Sequence, residues 1–196
     1  ALPTLTVAPT KMNVFYKGVD NPVSISAPGI SADDLKPTIS NGKIVRDGKD
    51  WVVRDLRQGN EADITVKAIF PDGSVKVMGK SHFRVKTVPD PIPSFAGKRP
   101  TDTRVKKTEL LASRGVIAKL DNFDFELKFT ITQFKVTMVF NGTPVDKLVK
   151  GNKVSDDMKK MFKKARKGQK VLIENIKAKG ADGSIRSLPP ISLKII

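Results

Sequence analysis

A proline-rich segment, Val88-Pro89-Asp90-Pro91-Ile92-Pro93, interrupts this 196-residue chain near its middle. Proline restricts φ and has no backbone N–H to donate, so several prolines in close succession favour an extended connection between folded parts. A connection of this kind is semi-rigid rather than fully flexible. The segment therefore predicts two domains, residues 1–93 and residues 94–196, with Pro89, Pro91 and Pro93 forming the joint between them.

The two halves of the chain differ in charge. Residues 1–95 contain 13 Lys and Arg against 10 Asp and Glu, whereas residues 96–196 contain 23 against 10, which gives net charges of +3 and +13. Charge concentrated in this way affects what a domain meets more than how it folds. The chain has no cysteine, which excludes disulfides and thiolate chemistry. No run of residues approaches the roughly 20 apolar positions that cross a bilayer as a helix.

The first half is typical of an immunoglobulin-like β-sandwich. Short runs that alternate apolar and polar residues are separated by turn sequences such as Asn41-Gly42 and Asp47-Gly48, which favour tight hairpins. Trp51, the only tryptophan, lies in one of these runs and is interpreted as a core residue. The predicted strands are residues 5–8, 12–16, 23–27, 38–40, 44–46, 51–54, 62–70 and 74–88.

The second half predicts further strands with one or two short helices. A first helix is expected over residues 108–114, with Thr108 as its N-cap. Residues 123–131 alternate strictly, which predicts a strand with five large apolar side chains on one face. Residues 134–140, 170–177 and 185–195 complete the predicted strands. The fold class is therefore mainly β.

The clearest helix is predicted over residues 156–167. Ser155 is the expected N-cap, Asp156 and Asp157 lie in the first turn, and Gly168 follows the end. At about 100° per residue, the apolar residues fall on one arc and the cationic residues on the opposite arc. The candidate partner-binding face consists of Lys159, Lys160, Lys163, Lys164, Arg166 and Lys167.

No residue pattern indicates a catalytic, metal or cofactor site. The only histidine, His82, has no carboxylate near it in sequence, and a histidine without an orienting partner does not activate a nucleophile. The pairs Asp33-Asp34 and Asp156-Asp157 lack the ligand spacing of a calcium loop and are interpreted as helix-start residues. Neither glycine-rich phosphate-binding motif is present. We expect no enzyme activity and no cofactor.

Three interpretations of the cationic helix face remain open. It is the solvated side of an amphipathic helix, or it contacts nucleic-acid phosphates, or it contacts an acidic protein or anionic membrane surface. Nucleic-acid binding is disfavoured because single-strand readers usually add exposed aromatic residues, and the second half has no Trp, Tyr or His. A carbohydrate-binding sandwich is disfavoured because one Trp and one Tyr provide little stacking surface.

Several stretches resemble the C-terminal periplasmic region of the GldM/PorM family, a motor component of type IX secretion and gliding in Bacteroidetes. The most specific stretch is the sequence KMNVFYKGVDNPV at residues 11–23. The sequences FRVKTVPDP at residues 83–91 and NFDF at residues 122–125, and the aliphatic end at residues 191–196, also resemble it. The resemblance implies that the two halves correspond to the family's third and fourth periplasmic domains.

The resemblance also implies partners and a location. Members of the family are homodimers anchored in the inner membrane by an N-terminal helix, which lies outside this sequence. They pair with GldL/PorL to form a motor driven by the proton-motive force, and they contact the GldK/PorK and GldN/PorN lipoprotein ring under the outer membrane. We therefore expect a non-enzymatic periplasmic segment that transmits torque or conformational change. The alternative is a basic protein that binds nucleic acid or the ribosome.

Overall fold

The computed structural model describes residues 5–9, 13–57, 59–123 and 127–196. The chain divides into two compact units, Ala1–Val88 and Pro89–Ile196. Each unit has a hydrophobic core of its own. In the described part of the chain the structure is mostly strand, and this confirms the predicted mainly β fold class.

The first unit is a sandwich of two four-stranded sheets, as far as its described residues show. One sheet has the order β1-β3-β6-β5 and the other has the order β2-β8-β7-β4. Paired strands are antiparallel except β2 and β8, which are parallel. Each of the eight predicted strands overlaps one of these, so the immunoglobulin-like prediction is confirmed. The strands are β1 Thr6–Pro9, β2 Val14–Tyr16, β3 Asn21–Ser26, β4 Leu35–Ile39, β5 Lys43–Asp47, β6 Asp50–Arg54, β7 Glu61–Ile69 and β8 Val75–Lys86.

The core of the first unit follows from strict alternation along its strands. In β7, Ala62, Ile64, Val66 and Ala68 are buried, whereas the residues between them are at least partly exposed. Successive side chains of a strand point to opposite faces of the sheet, so one face of β7 is placed in the core. Trp51 is partly buried and packs against the same core, in the position expected from the sequence.

A buried asparagine organises the connection between β2 and β3. Asn21 is only 1% exposed. Its Oδ1 accepts a hydrogen bond from the backbone N–H of Tyr16 at 2.7 Å, and its Nδ2 donates to the carbonyl oxygens of Tyr16 at 2.9 Å and Val19 at 3.0 Å. A longer contact of 3.3 Å joins Nδ2 to the carbonyl of Val53 in β6. The buried amide is thus hydrogen-bonded through both its oxygen and its nitrogen, as buried polar groups usually are.

The second unit is built on a six-stranded sheet with two helices in its described residues. The sheet has the order β10-β16-β14-β12-β13, with β15 paired to β14, and β9 pairs separately with β11. The strands are β9 Ile92–Phe95, β10 Arg104–Val105, β11 Val116–Lys119, β12 Thr130–Phe140, β13 Thr143–Lys150, β14 Lys170–Lys179, β15 Ile185–Ser187 and β16 Ile191–Ile195. The helices are α1 Lys107–Ala112 and α2 Asp156–Lys164.

Four predicted features of the second unit differ from the structure. The single strand predicted over residues 185–195 is two strands, β15 and β16. The strand predicted over residues 123–131 is wrong at Phe123 and at residues 127–129, which are not in a strand, whereas Thr130 and Ile131 belong to β12. Residues 124–126 lie outside the described residues. The first helix begins at Lys107, one residue before the predicted N-cap. The Glu109 carboxylate accepts a hydrogen bond from the backbone N–H of Lys106 at 2.7 Å, and this contact fixes the start. The second helix ends at Lys164, so residues 165–167 lie beyond it.

Replacement of Asn21 by alanine is expected to destabilise the first unit by about 2–4 kcal/mol. The substitution removes the hydrogen bonds that the buried amide makes to the backbone of Tyr16 and Val19, and the loss of such a bond at a buried site costs about 1–3 kcal/mol. Urea unfolding followed by the fluorescence of Trp51, the only tryptophan in the chain, measures the change in this unit.

The matched control is Asn60→Ala, because Asn60 is exposed. This variant is expected to unfold within about 0.5 kcal/mol of the native chain, as ordinary surface substitutions do. Equal midpoints for the two variants would contradict the role given to Asn21.

Candidate docking surface

Helix α2 begins at a conventional N-cap. The Oγ of Ser155 accepts a hydrogen bond from the backbone N–H of Met158 at 3.2 Å. Asp156 and Asp157 occupy the first turn, where negative charge interacts favourably with the helix dipole. The start of the helix is therefore the one that the sequence predicted.

The orientation of α2 is determined by its apolar face. Met158, Met161 and Phe162 are buried in the core of the second unit. The ring of Phe162 lies 6.0 Å from the ring of Phe95 in β9, and Phe95 lies 6.4 Å from Phe134 in β12. These distances are typical of favourable aromatic pairs. The helix is thus anchored to two strands through one aromatic contact chain, which leaves its opposite face exposed.

Lys107, the first residue of α1, caps the C-terminal end of α2. The Nζ of Lys107 donates hydrogen bonds to the carbonyl oxygens of Lys163 at 2.7 Å and Ala165 at 2.8 Å. The last carbonyls of a helix have no partner within the helix, and they carry the negative end of its dipole. The ammonium group therefore stabilises the end of α2 both as a donor and as a charge. Sequence reasoning missed this contact, because 56 positions separate Lys107 from Lys163.

All six residues of the predicted partner-binding face are exposed. Lys159 and Lys160 each lie close to a carboxylate one turn earlier, at 3.3 Å from Asp156 and 3.6 Å from Asp157. Ion pairs this exposed contribute little to stability. The other four cations of the face, among the described residues, have no carboxylate within ion-pair distance of their side chains. Their charges are available to another molecule, and the binding role of the face remains a prediction.

A groove of about 650 Å³ runs beside this face, between α2 and the β12–β13 hairpin. Its lining includes apolar side chains from both elements, namely Phe140, Val145 and Met161. Four cations and one carboxylate also line it, namely Lys147, Lys160, Lys164, Arg166 and Asp157. The volume is in the range of ordinary ligand pockets.

Lys147 is the residue of the groove that the sequence did not indicate. It lies in β13, on the same face as Val145 and Val149, which pack against the core. Alternation along β13 was the available sequence signal. It shows which residues share a face of the strand, but not which residues of other elements lie beside them. Only the pairing of β12 with β13 brings Lys147 close to the cations of α2.

Gln169 connects the two walls of the groove at one end. Its Oε1 accepts a hydrogen bond from the backbone N–H of Arg166 at 2.6 Å, and its Nε2 donates to the carbonyl of Val139 at 3.0 Å. One amide therefore connects the chain after α2 to the end of β12. The spacing between the two walls of the groove is fixed by this contact together with the buried face of α2.

His82 is exposed and has a carboxylate partner that is distant in sequence. Strand pairing places Asp63 of β7 opposite His82 of β8, and the Asp63 Oδ1 lies 2.7 Å from the His82 Nδ1. Lys80 lies 2.9 Å from the same carboxylate, and these two partners, Lys80 foremost, lower the pKa of Asp63. The second ring nitrogen of His82 lies 3.9 Å from Glu61. The described neighbours of the ring are thus charged groups on an exposed sheet face.

The predicted joint residues differ in their surroundings. Pro89 is exposed, whereas Pro91 and Pro93 are buried within the second unit. Pro93 lies in β9 and is paired with Ala118 of β11. The boundary between the units falls between Val88 and Pro89. The stiffness of the joint remains a prediction.

Arg186 of β15 fixes the chain at the start of the second unit. Its guanidinium donates to the carbonyl of Pro89 at 2.6 Å and to Asp90 at 3.2 Å, and it lies 3.4 Å from Asp182. The Arg186 side chain is 11% exposed. Sequence reasoning missed this residue, because Pro89 and Asp90 are almost a hundred positions away.

The described residues contain no group of three or more His, Asp or Glu side chains placed to hold a metal ion. Among the same residues, no helix has the length and apolar character needed to cross a membrane. The cationic helix face and its adjoining groove form the candidate docking surface.

The two compact β-rich units define a modular protein built from separate β-rich domains. Two family models match it in succession: the model described as GldM third domain matches residues 4–86, and the model described as GldM C-terminal domain matches residues 89–196. The chain belongs to the GldM family, and the resemblance stated from sequence is confirmed. This is a family of type IX secretion and gliding motor components and is not a known enzyme family.

No curated protein matches the chain. Among solved structures, the fibronectin(III)-like modules of Clostridium thermocellum CbhA align over 98% of this chain and 93% of theirs, with 16% sequence identity and a TM-score of 0.35.

Replacement of Lys107 by methionine is expected to loosen the last turn of α2. The variant keeps the aliphatic stem but removes the cation from two helix-end carbonyls, which costs about 1–2 kcal/mol in partly buried geometries. Amide hydrogen exchange across residues 160–168 measures the effect, and we expect faster exchange there. Lys119→Met, at an exposed position, is the control and should leave exchange unchanged. Slower or unchanged exchange in the Lys107 variant would contradict the capping role.

Asp182→Asn is expected to lower the melting temperature of the second unit at pH 7. The Ser184 hydroxyl, which donates to Asp182 Oδ1 at 2.6 Å, is the main cause that lowers the Asp182 pKa below 3.8, and Arg186 also contributes. A lowered carboxyl pKa gives stability that is present above pH 3.8 and is lost as the pH falls through the folded-state pKa. The difference between native and variant melting temperatures should therefore shrink below about pH 3.8.

Asp72→Asn is the control for this pH dependence. Asp72 accepts the same two hydrogen bonds from Ser74, at 2.9 and 2.6 Å, but no arginine pairs with it in the described residues. Calorimetric scans should show a smaller loss at pH 7 for Asp72→Asn than for Asp182→Asn. An equal loss in both would show that Arg186 adds nothing to the second turn.

Proposed function

We propose that this chain is a periplasmic segment of an inner-membrane-anchored motor protein of the type IX secretion and gliding machinery. In this proposal the motor is driven by the proton-motive force, and the segment transmits torque or conformational change towards the outer membrane. Membership of the GldM family is the observation that carries it. The protein acts as a homodimer and pairs with GldL/PorL through a membrane helix outside this sequence.

The second domain is the part that docks, in this proposal, onto the GldK/PorK and GldN/PorN ring. Its net charge of +13, counted over residues 96–196, is the main support. Complementary charge steers association and determines which partners are excluded. The partner-binding face on α2 is exposed and is held in place by buried aromatic contacts and by Lys107. A docking face that transmits force needs a rigid attachment of this kind.

Binding of nucleic acid is the rival function, and the same cations would serve it. Single-strand readers usually add exposed aromatic residues, and the second half of the chain has no Trp, Tyr or His. Phosphate binding releases counterions and so weakens steeply as salt increases, regardless of sequence. Titration with random duplex and single-stranded oligonucleotides between 50 and 200 mM salt separates the two functions.

Charge reversal on α2 is expected to abolish capture of the ring proteins. One variant replaces the four exposed lysines of the helix by glutamate: Lys159, Lys160, Lys163 and Lys164. The change removes an attraction that acts over roughly 8 Å at physiological salt, and it adds repulsion from an acidic partner. Pull-down of GldK/PorK and GldN/PorN should fall at least about tenfold.

The control makes the same change of charge in the first domain. It replaces four exposed lysines there by glutamate: Lys36, Lys49, Lys67 and Lys86. We expect this variant to retain most of the capture. If the two variants capture the ring proteins equally well at low and moderate salt, the face on α2 is not the docking surface.

A further inference from the structure

The cationic residues near α2 belong to two groups that face different surroundings. Lys160, Lys164 and Arg166 line the groove together with Lys147 of β13. Lys159, Lys163 and Lys167 are exposed but are not part of the groove lining. The sequence pattern predicted a single face for these residues other than Lys147. The structure therefore allows the contribution of the groove to be separated from that of the remaining charge.

The groove carries an excess of positive charge that the described residues do not neutralise. The one carboxylate in its lining, Asp157, lies 3.6 Å from Lys160. Lys147, Lys164 and Arg166 have no carboxylate within ion-pair distance among the described residues. Three cations thus converge on one concave site without a counterion from the chain. A ligand with several carboxylates would complement them.

The groove also has an apolar component that a simple anion would leave unused. Met161 is 5% exposed, and Phe140 and Val145 are partly buried against the core. Binding sites commonly combine an apolar lining with a few charged groups, because burial of apolar surface provides affinity and the charges provide orientation. The ligand that fits both components is acidic and carries an apolar side chain.

We propose that this groove binds an acidic polypeptide segment with one large apolar residue among its carboxylates. The apolar residue packs on Phe140, Val145 and Met161, and the flanking carboxylates pair with Lys147, Lys164 and Arg166. The proposal rests on the proposed docking function for the identity of the partner, since it assigns such a segment to a ring protein. It goes beyond that function by locating the contact in the groove and not across the whole cationic face.

Peptide titration tests the chemistry of the groove. The probe is a fluorescein-labelled peptide with one phenylalanine between two runs of four glutamates, and the comparison peptide has serine in place of phenylalanine. The groove variant combines Lys147→Glu, Lys164→Glu and Arg166→Glu. The control variant combines Lys159→Glu, Lys163→Glu and Lys167→Glu, which is the same change in net charge. Circular dichroism establishes that both variants are folded.

The expected result is at least a tenfold loss of affinity for the phenylalanine peptide in the groove variant and less than a threefold loss in the control. The serine peptide should bind the native chain more weakly than the phenylalanine peptide. Equal losses in the two variants, or equal affinity for the two peptides, would overturn the proposal. Tighter binding of a single-stranded oligonucleotide, with the same dependence on the groove residues, would overturn it in favour of nucleic acid.

Labelled methionine methyl groups locate the contact directly. The Met161 methyl resonance is expected to shift on addition of the phenylalanine peptide, whereas that of Met78 in β8 should not. A variant of milder chemistry, Lys147→Gln with Lys164→Gln, should reduce the shift of Met161 without reversing charge. An unperturbed Met161 at saturating peptide would place the binding site elsewhere.

Capture of the ring proteins by the same two variants distinguishes the failure of the groove from the failure of the proposed function. Loss of capture in the groove variant alone supports both. Loss in the control variant alone refutes the groove but leaves docking through the cationic face intact. If both variants capture the ring proteins normally while the peptide titration gives the expected result, the groove binds acidic segments but the ring is not its partner. That result would overturn the assignment of the segment to a ring protein.

Discussion

The burial of one face of α2 is the interaction on which the rest of the second domain depends. Phe162 contacts Phe95, Phe95 contacts Phe134, and the helix is thereby attached to two separate strands. A helix rotated by 100° would move its lysines into the core, where an unpaired charge is very costly. The exposed position of the cations is therefore a consequence of apolar packing. Lys107 and Gln169 then fix the end of the helix and its spacing from the β12–β13 hairpin.

Local sequence pattern predicted the first domain well, because its strands alternate and its turns contain glycine. In β7, for example, the buried positions are every second residue from Ala62 to Ala68. The same rule failed at residues 123–131, where alternation suggested a strand but residues 127–129 are not in one. Alternation shows that one side of a segment is apolar, and an irregular segment with apolar residues gives the same pattern. Pairing partners decide the outcome, and they are distant in sequence.

The candidate docking surface could be predicted only in part, for the same reason. Helical periodicity predicts the cationic arc, and all six of its residues are exposed, four on α2 and two, Arg166 and Lys167, beyond its end. Lys107 and Arg186 could not be predicted, because Lys163 and Pro89, which they contact, are 56 and 97 positions away. Lys147 could not be predicted, because β13 was not among the predicted strands. Asn21 is an informative intermediate case. It lies in the stretch at residues 11–23 that resembles the GldM family. The structure supplies a physical reason for the residue, since its amide closes the turn between β2 and β3.

The central claim of this account is that the second domain meets its partner through the cationic surface around α2. Photo-crosslinking in cells measures this contact most directly, with a photoreactive residue placed at Lys163 and, for comparison, at Lys67 of the first domain, both exposed. Mass spectrometry of the products should identify the ring lipoproteins from the Lys163 position and not from the Lys67 position. Identical products from both positions, or crosslinks from Lys163 only to cytoplasmic or nucleic-acid-associated proteins, would contradict the claim.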